Sequence, residues 1–391
     1  MSGDYIDLKR GWSSSLMILL LVFVSFNSAA SDTDGDGVDD SIDDCPVAEG
    51  NSTVDRTGCP DADGDGTSDR NDPWTIQTGG FLQDSRQASN DDYYISIFSN
   101  DGDYYLTSDG STMRIWETAS KVNIRSVAIS GIYDVAWSPD GKYVAAVDDN
   151  DQLSVYYSSN ITGLYAISVD VGGGDQALEV DFSPDGTMIA VVIGRSGNGG
   201  TNGEVQIYNS SNGNEITTFQ PSNQERFYSV DWSPDGSRIL IGGREDVWVY
   251  TTDTWAQDAT RNTNRGSINS VAWSPDGNSI GVCEAWEGSG ARVRMLNYPA
   301  MSERWVYQTS TSCNTVAFSP DSTQLAAAHT YYQSDGASIR IFRTYDTAPN
   351  IIDTLSAPRP GGCTSSGNGN NCGTVYGVDW HSNGMLSLIH I

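Results

Sequence analysis

The sequence predicts an all-β chain, a seven-bladed β-propeller whose last blade is truncated, standing behind an N-terminal Asp-rich stalk. Three observations predict it. A seven-residue segment recurs as "VAWSPDG" (Val135–Gly141), "VDFSPDG" (Val180–Gly186), "VDWSPDG" (Val230–Gly236), "VAWSPDG" (Val271–Gly277) and "VAFSPDS" (Val316–Ser322). Each copy is followed by a short β-type segment with a large apolar residue in its fourth place. Ahead of them all, two Asp-rich blocks of twelve residues keep one common register.

Taken from the N-terminus, residues 1–30 carry Lys9 and Arg10, an apolar run from Leu16 to Phe26, and small Ser28 and Ala30. That is the pattern of a secretory signal peptide, and the run falls short of the roughly 20 apolar residues a membrane span needs. The chain of 391 residues has a net charge of −30, so a phosphate backbone would be repelled and cations are the natural partners. Export would in turn favour disulfides among the six cysteines. Cys45 and Cys59, and Cys363 and Cys372, are the pairs close in sequence; how Cys283 and Cys313 pair stays open, since six cysteines allow 15 connectivities.

Residues 31–73 hold 14 acidic residues against Arg56 and Arg70. "DTDGDGVDDSID" sets Asp32, Asp34, Asp36, Asp40 and Asp43 at loop positions 1, 3, 5, 9 and 12, with Val38 offering a carbonyl at 7. "DADGDGTSDRND" repeats this with Asp61, Asp63, Asp65, Asp69, Asp72 and Thr67. Oxygen ligands so spaced suit Ca²⁺, and glycine at position 6 permits the sharp turn around the ion. A merely acidic linker has no reason to keep the register twice. The two blocks, with "DDCP" and "CPDADGDG", resemble thrombospondin type 3 repeats over about 43 residues. The resemblance implies calcium at the named positions and a Cys45–Cys59 bridge, and such a segment would be ordered mainly by its ions.

Residues 74–391 form the expected propeller. Turn anchors at Ser99, Ser138, Ser183, Ser233, Ser274, Ser319 and His381 are mostly 39 to 50 residues apart, the period of a four-stranded blade. Within "SPDG", proline presets the first corner, Asp suits the second, and glycine takes the positive φ that returns the chain to its partner strand. Asp140, Asp185, Asp235 and Asp276 are therefore turn residues. Third strands "MRIWET", "LSVYYS", "VQIYNS", "VWVYTT", "VRMLNY" and "IRIFRT" place Trp116, Tyr156, Tyr208, Tyr250, Leu296 and Phe342 as core wedges between blades. Turn, spacing and third strand together resemble the WD-repeat family over about residues 80–385, although the Trp-Asp and Gly-His dipeptides are absent; TolB-like propellers share the turn. After "WHSNG" the apolar register slips at Ser387, and residues 386–391 match the translated end of a transposase adapter, so they are expected to be foreign. Residues 81–92 would then close the ring with an outer strand.

No His-Glu-x-x-His, Gly-x-Ser-x-Gly or P-loop motif occurs, and there are only three histidines. Asp181, Asp231 and Asp379, each just before a strand aromatic, are expected to brace neighbouring turns, with a lining of the central channel as the alternative. Long insertions after second strands place Trp286, Tyr331 and Tyr332 on one rim, where loops raised on a rigid scaffold concentrate binding. Asn51, Asn160 and Asn209 open glycosylation sequons. The expectation is an exported, calcium-binding, monomeric protein, secreted or at the cell surface, that grips a protein or glycan ligand. A secreted hydrolase using channel carboxylates is the alternative.

Overall fold

A computed structural model describes residues 32–47, 50, 52–53, 56–59, 95–169, 175–194, 203–221, 226–264, 266–285, 290–330, 339–355, 375–382 and 384, with backbone alone for 376 and 386–390. The expected signal peptide, the second Asp-rich block and the segment 81–92 lie outside the described residues. The chain divides into two compact units, Met1–Gln77 and Thr78–Ile391.

In the first unit the described residues form turns and bends only. Positive φ at Gly35 (85°) and Gly37 (95°) lets the chain fold back on its own aspartates. Cys45 and Cys59 are disulfide-bonded, and the Asp44 amide donates to the Thr57 carbonyl at 2.9 Å alongside the bridge.

The second unit is built from strands. The first blade comprises β1 (Ile95–Phe98), β2 (Tyr104–Ser108), β3 (Thr112–Glu117) and β4 (Val122–Ala128). The second comprises β5 (Ile132–Trp137), β6 (Tyr143–Asp148), β7 (Gln152–Tyr157) and β8 (Gly163–Ser168). The third comprises β9 (Gln176–Phe182), β10 (Met188–Gly194), β11 (Glu204–Asn209) and β12 (Glu215–Phe219). The fourth comprises β13 (Phe227–Trp232), β14 (Arg238–Gly243), β15 (Asp246–Thr251) and β16 (Gln257–Asn262). The fifth comprises β17 (Ile268–Trp273), β18 (Ser279–Glu284), β19 (Ala291–Asn297) and β20 (Ser302–Thr309). The sixth comprises β21 (Cys313–Phe318), β22 (Gln324–His329), β23 (Ile339–Arg343) and β24 (Ile351–Leu355). A last pair, β25 (Val375–Trp380) and β26 (Leu386–His390), follows.

Every blade is an antiparallel meander in chain order. Consecutive inner strands are neighbours from β1 through β5, β9, β13, β17 and β21 to β25, and β25 also packs against β1, so the inner strands form a ring. Among the described residues there are six complete blades and one two-stranded sheet, whose inner strand is the seventh member of the ring. In that sheet Leu386 is registered opposite Trp380, as Ile239 is opposite Trp232, because its turn is one residue shorter.

The repeated turn works as a small hydrogen-bonded device. In the fourth blade Ser233 Oγ donates to Asp235 Oδ1 at 2.6 Å and accepts the Arg238 amide at 2.9 Å, while Gly236 sits at φ 68°. The same bonds recur at Ser138, Ser183, Ser274 and Ser319. At the last of these Ser322 replaces glycine and still adopts φ 65°. The turn aspartates are structural.

Blades pack face to face, so the core lies between them. One cluster joins Val147 and Val155 of the second blade to Val180 and Val191 of the third; another joins Ile207 of the third to Trp232 and Trp248 of the fourth. The third-strand wedges Trp116, Tyr208, Tyr250, Leu296 and Phe342 are buried, and Tyr156 is half-buried. Cys283 on β18 and Cys313 on β21 are disulfide-bonded across the fifth and sixth blades. Cys363 and Cys372 lie outside the described residues.

Candidate functional site

The ring of inner strands encloses a cavity of about 390 Å³. An inner strand has a sheet partner on one side only, so half its amide N–H groups face the channel without a ladder acceptor. The sequence supplies acceptors at the two alternate positions, one and three residues before the strand aromatic, that a period of two puts on one face.

At the position three before the aromatic, each acceptor reaches the next blade. Asp134 Oδ2 accepts the Val180 amide at 3.0 Å, and Glu179 Oε2 accepts the Val230 amide at 3.1 Å. Ser229 Oγ accepts the Val271 amide at 3.0 Å and Ser270 Oγ the Val316 amide at 3.3 Å. One before the aromatic, Asp231 Oδ1 accepts the Trp232 amide at 2.8 Å, and its Oδ2 accepts the Trp273 amide of the next blade. Asp379 holds Trp380 and Phe98 in the same way, both at 2.8 Å, and so ties the last sheet to the first blade. Asp181 accepts its own neighbour's amide, Phe182, at 2.8 Å. Asp181, Asp231 and Asp379 therefore all line the channel, and Asp231 and Asp379 also brace the ring by reaching the next blade. Asp134 and Glu179 do the same work and were not read from the sequence; their signal was the two-residue spacing within "DVAW" and "EVDF".

These carboxyls are half-buried and open only to the channel. Burial pushes Asp134 and Asp231 up to about 7 and Asp379 up to about 6. Burial also raises Glu179, with the Asp134 charge adding to it, and raises Asp181, with Asp231 adding. A general acid–base pair needs oxygens free to meet a substrate. Here the oxygens of Asp231 and Asp379 are both tied to main-chain amides.

The Asp-rich loop of the first unit gathers charge differently. Asp32, Asp34 and Asp36 each place one carboxylate oxygen within 4.8 Å of the others'. Amides reach both oxygens of two of them: Gly35 and Gly37 donate to Asp32 at 2.8 and 3.1 Å, and Val38 and Gly50 donate to Asp36 at 2.8 and 3.1 Å. Asp34 Oδ2 is buried and accepts no hydrogen bond. Asp40 accepts from both Thr33 N and Thr33 Oγ1 at 2.8 Å. Asp43 is buried, accepts the Cys45 amide at 2.6 Å, and lies against Gly58. The structure thus brings Asp32, Asp34 and Asp36 together, while Asp40 bonds to Thr33 and Asp43 keeps one buried oxygen, Oδ2, without a partner. Val38 stands beside them in the same loop, and Asp61, Asp63, Asp65, Thr67, Asp69 and Asp72 lie outside the described residues.

The rim aromatics Trp286, Tyr331 and Tyr332 lie outside the described residues, and the strands that precede them end at Glu284 and His329. Glu284, at the end of β18, is buried and ion-paired to Arg294, with Arg292 at 3.8 Å; His329, at the end of β22, is fully buried.

A family model, eukaryotic translation initiation factor eIF2A, matches residues 112–244. Pre-mRNA-processing factor 17 of Homo sapiens and that of Mus musculus are each 27% identical over 134 residues, which is 33% of this chain and 23% of theirs. The chain therefore spans under a quarter of the curated relatives it matches. Among solved structures, the β-propeller domain of Myceliophteria thermophila Cps50 (Swd1) superimposes with a TM-score of 0.59 at 12% identity, covering 75% of this chain and 91% of that one. Pre-mRNA processing and translation initiation are events of the cell interior. These matches overturn the expectation of an exported, secreted or cell-surface protein, which rested on leader composition, and with it the alternative of a secreted hydrolase. By fold the second unit is a WD-repeat-like β-propeller.

Proposed function

We propose that the chain is a non-catalytic propeller scaffold that binds a protein partner on the rim bearing the loops between second and third strands. The observation that carries this reading is the state of the channel carboxylates: where an enzyme would present free oxygens, Asp231 and Asp379 present oxygens engaged by main-chain amides. The loop rim is then the surface for this partner, with Trp286, Tyr331 and Tyr332, in the segments that follow the buried Glu284 and His329, as its candidate anchors. Aromatic anchors of this kind carry about 2 kcal/mol each on truncation, or roughly thirtyfold in Kd. With the full chain as bait, the Trp286→Ala, Tyr331→Ala, Tyr332→Ala triple variant should lose a partner that the wild type captures. Equal capture by both would move the site off this rim.

The first Asp-rich loop supports a second, separate role, the binding of calcium by Asp32, Asp34 and Asp36. Three carboxylates that each place an oxygen within 4.8 Å of the others repel one another unless a cation joins them, and Asp34 also has a buried oxygen, Oδ2, with no donor. Calcium titration of the full chain followed by calorimetry should show binding that Asp34→Ala weakens by at least about tenfold. Calcium binding unchanged in that variant, or none in the wild type, would refute the assignment.

A further inference from the structure

The residue that follows the third strand is Ser158, Ser210, Thr252 and Thr344 in the second, third, fourth and sixth blades. Its hydroxyl donates in each case to the carbonyl at the glycine position of the nearby turn: Gly141, Gly186, Gly236 and Ser322. In the first blade the residue after the third strand is still a threonine, Thr118, though its hydroxyl makes no hydrogen bond; in the fifth blade the residue itself changes, and a pocket opens there. It is Tyr298, whose main-chain amide keeps the repeat's bond, to Asn278. The carbonyl it leaves, Gly277, is instead satisfied by Trp273 Nε1 at 3.2 Å. The substitution is therefore accommodated without an orphaned carbonyl, and the tyrosine ring becomes available for something else.

That ring forms one wall of a cavity of about 470 Å³ between the turns of the fourth and fifth blades. Tyr298 meets Trp273 edge-on at 4.8 Å, and Pro234 and Pro275 supply the facing apolar surface. Arg238 lies over Tyr298 at 5.7 Å and is paired to Asp258 at 2.7 Å, which also accepts the Tyr298 hydroxyl at 2.6 Å. Asp235 and Asp276 stand exposed on the two lips. Hydrogen bonds within its turn hold Asp235 down to about 2, and Asp276 is also lowered, so both lips are charged at neutral pH. Arg238 thus has Asp258 and Asp235 as its carboxylate neighbours, whereas the charge near Asp276 is that of Arg304, whose own donors go to Asn297 and Thr344.

We propose that this pocket receives the cationic side chain of a basic polypeptide segment, its apolar stem against Pro234, Pro275 and Trp273 and its charge between Asp235 and Asp276. A planar guanidinium fits best, since it stacks on aromatic and proline surfaces and takes carboxylates on both edges. The site lies on the turn rim and stands apart from the loop-rim reading above, whose capture assay Tyr298→Thr leaves unchanged.

The test titrates the full chain with acetyl-Gly-Arg-Gly-amide, and with its Glu and Gln counterparts, by ligand-observed NMR at physiological salt. The Arg peptide should bind, and the Glu and Gln peptides should not. Tyr298→Thr restores the residue the other blades use and so keeps the fold, yet it should weaken binding by at least about tenfold, as should Asp235→Asn. Asp185→Asn makes the same change of charge in the same turn of the third blade and should leave binding as it is. Wild-type affinity in Tyr298→Thr, an equal loss in Asp185→Asn, preference for the Glu or Gln peptide, or no binding of the Arg peptide would each overturn the proposal.

Discussion

Replacing Phe227 by alanine is expected to destabilise the propeller by about 4 kcal/mol, near the middle of the range for a buried phenylalanine. Phe227 opens β13, is fully buried, and meets Trp248 edge-on at 5.2 Å. It shares its core cluster with Val192 and Val205 of the third blade. Two glycines of that blade also stand close: a Cβ on Gly194 would stand 2.0 Å from the Phe227 carbonyl, and one on Gly203 would stand 2.6 Å from its ring. At Gly203 the backbone of one blade therefore rests on the ring of the next, so part of the space has no side chain beside it to fill it. Denaturant unfolding of the wild type and Phe227→Ala, read at unchanged m-value, measures the difference. A loss below about 1 kcal/mol would show that the two blades repack and that the glycine-framed contact is not what joins them.

The features legible in the sequence are those whose physics is local. Ser233, Asp235, Gly236 and Arg238 complete their hydrogen bonds within six residues, so the turn could be read wherever it was spelled. The third-strand wedges were legible because burial on both faces of a strand demands large apolar residues in a fixed place. The channel brace was not legible, because Glu179 has meaning only when Val230, 51 residues on, arrives in the neighbouring blade. The Cys283–Cys313 pairing was open for the same reason: β18 and β21 belong to different blades, and only the packing of one against the other brings the sulfurs together. The Tyr298 departure was written in the sequence, where Ser or Thr stands at that place in the other complete blades, but its consequence needed Trp273 in view. The leader's composition spoke for export, and no intrachain contact bears on that; comparison with relatives corrected it.

Asp231→Ala should cost about 3 kcal/mol, because it removes the acceptor of two amides, Trp232 and Trp273, at about 1–3 kcal/mol each, less what channel water can recover. Asp231→Asn removes the titration and keeps one of the two acceptors, because the amide oxygen still accepts while the NH2 group that replaces the other oxygen can only donate. The pH dependence then follows from the direction of the shift. Burial raises the folded-state value to about 7 from an ordinary 3.8, so the folded chain holds this proton more tightly than the unfolded one. The stabilisation is fully present below about pH 4 and is lost as pH rises through about 7. Asp134 and Asp379 act in the same direction. The wild-type melting temperature should therefore fall between about pH 4 and pH 7 through this ring, and the Asp231→Asn curve should fall less steeply, gaining on the wild type as pH rises. Parallel curves would mean that channel water keeps Asp231 ionised throughout, and that the ring is held by carboxylates instead of by carboxylic acids.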